Sequence, residues 1–153
     1  MSDKTAFLKK YRGIYEHSPW IAEAAYAAQH HTLEETHTAM KNAVMNASHD
    51  KKLALIRAHP DLACAQKMTK DSVSEQKGAG LDQCTPEEFA EFKRLNAEYK
   101  QKFGFPFIIA VKGLTRTDIL HAFRNRLGNS AAAEFETALE QIHKIAWFRL
   151  SAV

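Results

Sequence analysis

The sequence predicts an all-α fold: a single-domain bundle of about seven to nine helices with one short extended apolar segment. Three observations carry this. Apolar residues recur at three- and four-residue steps along most of the chain, Ser or Thr stands ahead of most such runs, and alternating apolar and polar stretches are almost absent. The 153 residues fit one domain over 1–153, because a chain of this size buries roughly two thirds of its unfolded surface without metals or disulfides.

The first helix is expected from Thr5 to Tyr15, where Phe7, Leu8, Tyr11, Ile14 and Tyr15 fall at helical spacing and Asp3 or Thr5 caps the start. Ser18 before Pro19 joins a capping oxygen to a proline suited to the first helical position, opening a helix that continues to about His30. Thr32 and Glu35 form a capping-box pair for a third helix with Leu33, Thr36, Met40, Ala43 and Val44 inward. Ser48 caps a fourth on Leu53, Leu55 and Ile56. It ends at Ala58 or His59, since the residue before Pro60 is pushed away from helical angles.

Thr85, Pro86 and Glu88 combine cap, first-turn proline and box glutamate. From there Phe89, Phe92, Leu95, Tyr99 and Phe103 run inward to Gly104, a helix stop. The stretch FPFIIAVKG, residues 105–113, is apolar, contains a proline and lacks a helical period, so it reads as buried extended chain. Thr117 opens a helix carrying Ile119, Leu120, Phe123 and Leu127 to Gly128. Ser130 opens the last, whose stripe of Phe135, Leu139, Ile142 and Ala146 runs on to Arg149.

Composition narrows the function classes. A hydrophobic share of 45% and a charged share of 25% describe a soluble globular protein, and no apolar run approaches a membrane span. The formal charge of +3 is dispersed, with Lys and Arg interleaved among Asp and Glu. Nucleic-acid binding gains nothing from that pattern, and a small anionic substrate suits it at least as well. Cys64 and Cys84 lack CxxC spacing, and the N-terminal MSDKTAFLKKYRG has no apolar signal core, so reduced thiols in the cytoplasm are expected.

Chemistry gathers in residues 59–81, HPDLACAQKMTKDSVSEQKGAGL, which no long amphipathic pattern absorbs. His59 reads either as a helix-end histidine bonded to the last carbonyls or as a general acid or base. Ser72 and Glu75 have capping-box spacing, yet Gly78 and Gly80 follow within two turns, where a purely structural helix would avoid glycine. A short helix there, with Ser72 and Gln76 beside its first N–H groups, would also receive an anion. Arg149 ends an apolar stripe, so it either snorkels to water or grips a carboxylate in a partly buried pocket. In residues 105–113 the backbone N–H and C=O groups lack a ladder and need neighbours, water or a ligand. Arg124 and Arg126 read as surface or helix-end contacts. The remaining histidines show no HExxH or similar spacing, and no metal site is expected.

The motifs EHSPWIAE (16–23), RAHPDLA (57–63), S-x-x-E-Q-x-x-A-G-L (72–81), YKQKFGFPFIIAVKG (99–113), NRL (125–127) and KIAWFRL (144–150) together resemble one family. It is that of the 2-oxo-4-hydroxy-4-carboxy-5-ureidoimidazoline (OHCU) decarboxylases of urate breakdown. The likeness covers nearly the whole chain in order. It implies an all-α, usually homodimeric enzyme without cofactor that converts OHCU to (S)-allantoin and carbon dioxide. Residue by residue, it implies that His59 is the catalytic histidine and Glu75 its acidic partner. It implies further that Pro60, Ser72 and Gln76 line the substrate, that Phe107, Ile108, Ile109, Ala110 and Val111 supply mainly backbone contacts, and that Arg149 holds a polar edge of the ligand. The alternative is a non-catalytic helical adaptor that uses the aromatic helix from Phe89 to Phe103 as a partner groove.

Overall fold

The computed structural model describes residues 3–26, 32–59, 61–62, 75, 77, 80–81 and 84–152. Among these lie seven helices and no strand: α1 (Asp3–Tyr11), α2 (Trp20–Tyr26), α3 (Leu33–Met45), α4 (His49–Arg57), α5 (Pro86–Phe103), α6 (Arg116–Arg126) and α7 (Ala131–Ala152). The long α7 is the hub, packed against α3, α4 and α5, while α1 lies on α2 and α2 on α3. Its stripe of Leu139, Ile142, Ala146 and Leu150 is buried as the spacing requires.

Local chemistry sets most helix ends. The Thr32, Ser48 and Thr85 side chains accept the N–H of Glu35, Lys51 and Glu88, and Glu88 returns the bond to the Thr85 N–H. α5 stops at Gly104, whose φ of 79° is the left-handed conformation that closes a helix.

Four expectations are corrected. α1 stops at Tyr11 instead of Tyr15. Ile14 and Tyr15 are core residues in irregular chain, because the Ile14 carbonyl turns to the Arg149 guanidinium at 3.2 Å. Ser18 does not cap α2 with its hydroxyl, which donates back to the Glu16 carbonyl at 2.9 Å; the expected run of α2 to His30 falls outside the described residues. α6 is capped by Thr115, not Thr117, since Thr115 and Asp118 exchange side-chain and backbone bonds in a full capping box. Phe89, expected inward, is 46% exposed at the first turn of α5.

The core continues as an aromatic cluster around Tyr99, with Phe103, Phe105, Phe107 and Phe123 in ring contact, Phe107 stacked on Phe123 at 3.9 Å. Residues 106–111 form neither helix nor strand and are largely buried, as expected, whereas Lys112 and Gly113, expected in the same buried stretch, form an exposed turn. The backbone of the buried stretch is satisfied from the side. Arg126 Nη1 donates to the Ile108 carbonyl at 2.6 Å, the Ala110 N–H donates to Gln141 Oε1 at 2.9 Å, and the Leu114 N–H donates to the Val111 carbonyl at 3.0 Å.

Arg124 lies at the surface with Glu91, but Arg126 does not: its side chain is 11% exposed. The guanidinium rests 4.3 Å from the Phe107 ring centroid, and its Nε donates to Glu134 Oε1 at 2.8 Å. Fully buried Glu134 also accepts from Tyr99 Oη at 2.6 Å and Asn129 Nδ2 at 2.9 Å. Removing the acid strands a buried cation and two donors. We therefore expect Glu134→Ala to lower the unfolding free energy by about 3–5 kcal/mol, measured by urea denaturation at pH 7. An unchanged midpoint would mean that this network carries no stability.

Candidate functional site

The site begins where α4 ends. Ala58 is its C-cap, and the His59 Nδ1 lies 2.9 Å from the Leu55 carbonyl one turn back. A carbonyl only accepts, so in the neutral ring Nδ1 carries the proton and Nε2 the basic lone pair. The helix-end reading and the acid–base reading of His59 are thus both satisfied, one at each nitrogen. Burial pushes its pKa down from 6.5 to about 4; the Leu55 carbonyl and Glu16 oppose this, while Arg149 and His17 add to it. At neutral pH the imidazole is uncharged.

The chain leaving His59 is pinned to α5. Arg57 Nε donates to the Gly104 carbonyl at 3.1 Å, Lys100 Nζ meets Asp61 Oδ2 at 2.6 Å, and Asn96 Nδ2 donates to the Leu62 carbonyl at 2.9 Å. At the far end of the segment, Gly80 adopts φ of 80° and its carbonyl accepts from Arg116 Nη1 at 3.1 Å. Pro60, Ser72 and Gln76 fall outside the described residues, as does any capping box of Ser72 with Glu75.

Arg149 does not snorkel. Its side chain is 3% exposed, and its guanidinium makes a bidentate pair with Glu75, Nε to Oε2 at 2.9 Å and Nη2 to Oε1 at 2.9 Å. Nη1 donates to the Ile14 carbonyl at 3.2 Å and to Glu16 Oε1 at 3.1 Å. Glu75 is 29% exposed and Glu16 is not exposed at all, so the pair spans from the protein interior to an accessible edge.

The extended segment approaches the same end of α7. Ala110 is bonded to Gln141, and Lys112 Nζ sits 5.0 Å over the Phe148 ring. The segment therefore follows α7 for about 10 Å toward the turn that holds Arg149. Among the described residues neither the N–H nor the C=O of Ile109 meets a hydrogen-bond partner. Also among the described residues, no group of three or more His, Cys, Asp or Glu is placed to hold a metal ion, and no helix is long and apolar enough to cross a membrane.

A buried neutral imidazole beside a guanidinium–carboxylate cluster is equipped for proton transfer next to an anionic ligand. Comparison with known proteins narrows the chemistry. The profile of the OHCU decarboxylase family matches residues 1–151. The chain belongs to this family. The 2-oxo-4-hydroxy-4-carboxy-5-ureidoimidazoline decarboxylase of Haloferax volcanii is 43% identical over 150 residues, covering 97% of this chain and 89% of that one. The uric acid degradation bifunctional protein PucL of Bacillus subtilis is 43% identical over 141 residues, which span 92% of this chain and 28% of that longer one. A crystal structure of an OHCU decarboxylase in the presence of (S)-allantoin superposes with a TM-score of 0.74 at 27% identity, covering 87% of this chain and 89% of that one.

Of the residues singled out by the family likeness, Glu75 and Arg149 are bonded to each other, and His59 lies within electrostatic reach of Arg149. Phe107 and Ile108 pack in the core, and the Ile108 carbonyl is taken by Arg126. The residue that sequence reasoning missed is Glu16. Its only signal was its place in EHSPWIAE, an acid directly after the buried pair Ile14 and Tyr15.

An open concavity of about 660 Å³ between α3 and α7 is lined by His37, Lys41, His143 and Trp147 among others, and by none of the site residues. His143 is buried there with Nδ1 2.8 Å from Tyr15 Oη. Burial, then Lys41 and His37, push its pKa down from 6.5 to about 4. The unfolded chain therefore binds protons at His59 and His143 between pH 6.5 and about 4 while the folded chain does not. Both contributions to stability are complete above pH 6.5 and are lost as pH falls toward 4. We expect the unfolding free energy to drop across that window, on the order of 3 kcal/mol per histidine, and His143→Gln to remove one share of the slope. Urea titrations at stepped pH check this, and a flat profile would contradict it.

Proposed function

We infer that this protein decarboxylates OHCU to (S)-allantoin and carbon dioxide, a step of urate degradation. The observation that carries the reading is a neutral, buried His59 with a basic Nε2 set beside the Arg149–Glu75 pair, in a chain that belongs to the OHCU decarboxylase family.

The substrate supplies its own electron sink. As the bond from the ring carbon to the carboxylate breaks, its electron pair forms a double bond to the neighbouring carbon. The adjacent carbon–nitrogen double bond becomes single, and its nitrogen takes a proton from solvent. The product of this step is an enol-like ring and carbon dioxide. His59 Nε2 then accepts the hydroxyl proton and returns it to the neighbouring carbon from one face, giving the ring carbonyl and a single stereocentre. No cofactor is needed for this electron flow.

In this reading His59 and Glu75 are catalytic, Glu75 accepting a hydrogen bond from the substrate hydroxyl while Arg149 fixes it and holds a polar edge of the ring. Pro60, Ser72 and Gln76 line the ligand, and residues 107–111 contribute backbone contacts. We read the protein further as one domain over residues 1–153 and, from the family likeness, as a homodimer. We read its compartment as the cytoplasm, where thiols stay reduced. The adaptor alternative is not favoured: Phe92, Leu95, Tyr99 and Phe103 of α5 are spent in the protein's own core.

Circular dichroism of freshly generated OHCU tests the activity. Wild-type protein is expected to produce one allantoin enantiomer quickly, whereas slow racemic product matching the blank would sink the reading. His59→Asn should lower kcat by about 100-fold or more, and Glu75→Gln by roughly 10–100-fold. A His59→Asn rate within a few-fold of wild type would remove His59 from the mechanism.

A further inference from the structure

Glu16 is fully buried, and the decarboxylase reading gives it no part. A carboxylate taken out of water is costly unless a cation and hydrogen bonds compensate it. Glu16 has Arg149, with Nη1 donating to Oε1 at 3.1 Å, but the same guanidinium already serves Glu75 through two bonds of 2.9 Å and 2.9 Å. Its bond to Nη1 is therefore not what pairs Arg149 with Glu75. The local backbone is not relaxed. His17, directly after Glu16, holds φ of 48°, in the left-handed region, and Ser18 Oγ turns back to the Glu16 carbonyl at 2.9 Å. Such conformations persist where the surroundings over-determine them, and they concentrate at functional sites.

We propose that Glu16 is a positioning residue of the reaction: it fixes the Nη1 end of the Arg149 guanidinium and so aims the Nε–Nη2 edge, with Glu75 on it, at a substrate beside His59. The proposal rests on the decarboxylase reading. A guanidinium is a rigid plane. With Nη1 held by Glu16 and the Ile14 carbonyl, rotation about the Cδ–Nε bond is blocked, and Glu75 inherits a fixed orientation. Glu16 acts through Arg149 and does not touch the ligand.

A charge effect accompanies the geometry. The groups that face His59 are Glu16 and the Leu55 carbonyl, which favour its protonation, and Arg149 and His17, which oppose it; Glu75 joins this set through Arg149. Glu16→Gln keeps an oxygen that can accept from Nη1 but removes the charge. His59 then loses a group that favours its proton.

The test measures kcat and KM against pH for Glu16→Gln, Glu16→Asp and wild type, together with the ¹⁵N titration of the His59 ring. For Glu16→Gln we expect kcat lower by about tenfold with KM within about twofold, and both the His59 titration and its limb in the pH–rate profile moved to lower pH. Glu16→Asp keeps the charge but retracts it, so kcat falls while the titration stays. Wild-type kcat in folded Glu16→Gln, or an unmoved His59 titration, overturns the proposal. If Glu16→Gln does not fold, Glu16→Asp decides by its kcat; if neither folds, Glu16 is a stability residue and the proposal falls. Failure of the wild type to turn over OHCU would reject the decarboxylase reading instead, while the ring titration still reports on Glu16 without any turnover.

Discussion

The buried guanidinium of Arg149 is the constraint on which the rest of the site depends. A cation removed from water must have its N–H groups met and its charge answered nearby. Arg149 obtains both from two separate parts of the chain: the Ile14 carbonyl and Glu16 from the loop after α1, and Glu75 from the segment between α4 and α5. These demands explain why α1 ends early although its apolar spacing continues. They also hold the Glu75 carboxylate in one orientation.

The other end of α7 repeats the device. Glu134 in its first turn gathers Arg126, Tyr99 and Asn129, as Arg149 in its last turn gathers Glu16 and Glu75. Both charges suit the helix dipole, an acid at the N-terminus and a base at the C-terminus. The two clusters have different tasks. The first is sealed and holds Phe107 and the Ile108 carbonyl in place through Arg126. The second reaches an accessible edge through Glu75.

Much of this was legible in the sequence because it is local. Caps at Thr32, Ser48 and Thr85, the stop at Gly104 and the stripe of α7 follow from residues within a turn of one another. So does the non-helical, largely buried character of residues 106–111. What was not legible is long-range. That Ile14 and Tyr15 would be buried outside a helix depends on Arg149 more than a hundred positions later. Arg126 looks like any helix-end arginine until Glu134 and Ile108 are brought to it. Thr115 and Thr117 each offer a capping hydroxyl, and only Thr115 has an acid three residues on to complete the box. Spacing revealed that Arg149 faces inward, but no spacing rule reveals which carboxylates it will meet.

The electrostatics of the second cluster bear directly on a decarboxylation. His59 is neutral at physiological pH. A permanently protonated imidazole would pair with the substrate carboxylate and stabilise the ground state, which raises the barrier to losing it as carbon dioxide. A neutral one does not. In the proposed mechanism it leaves the carboxylate without a strong cationic partner while the charge that develops on the ring spreads toward the Arg149 edge and the peptide groups. The lone pair of Nε2, fixed in tautomer by the Leu55 carbonyl, is then free to move a proton instead of holding a charge. Burial of His59 thus costs the fold at acid pH and serves the chemistry at neutral pH, and the same desolvation is the cause of both.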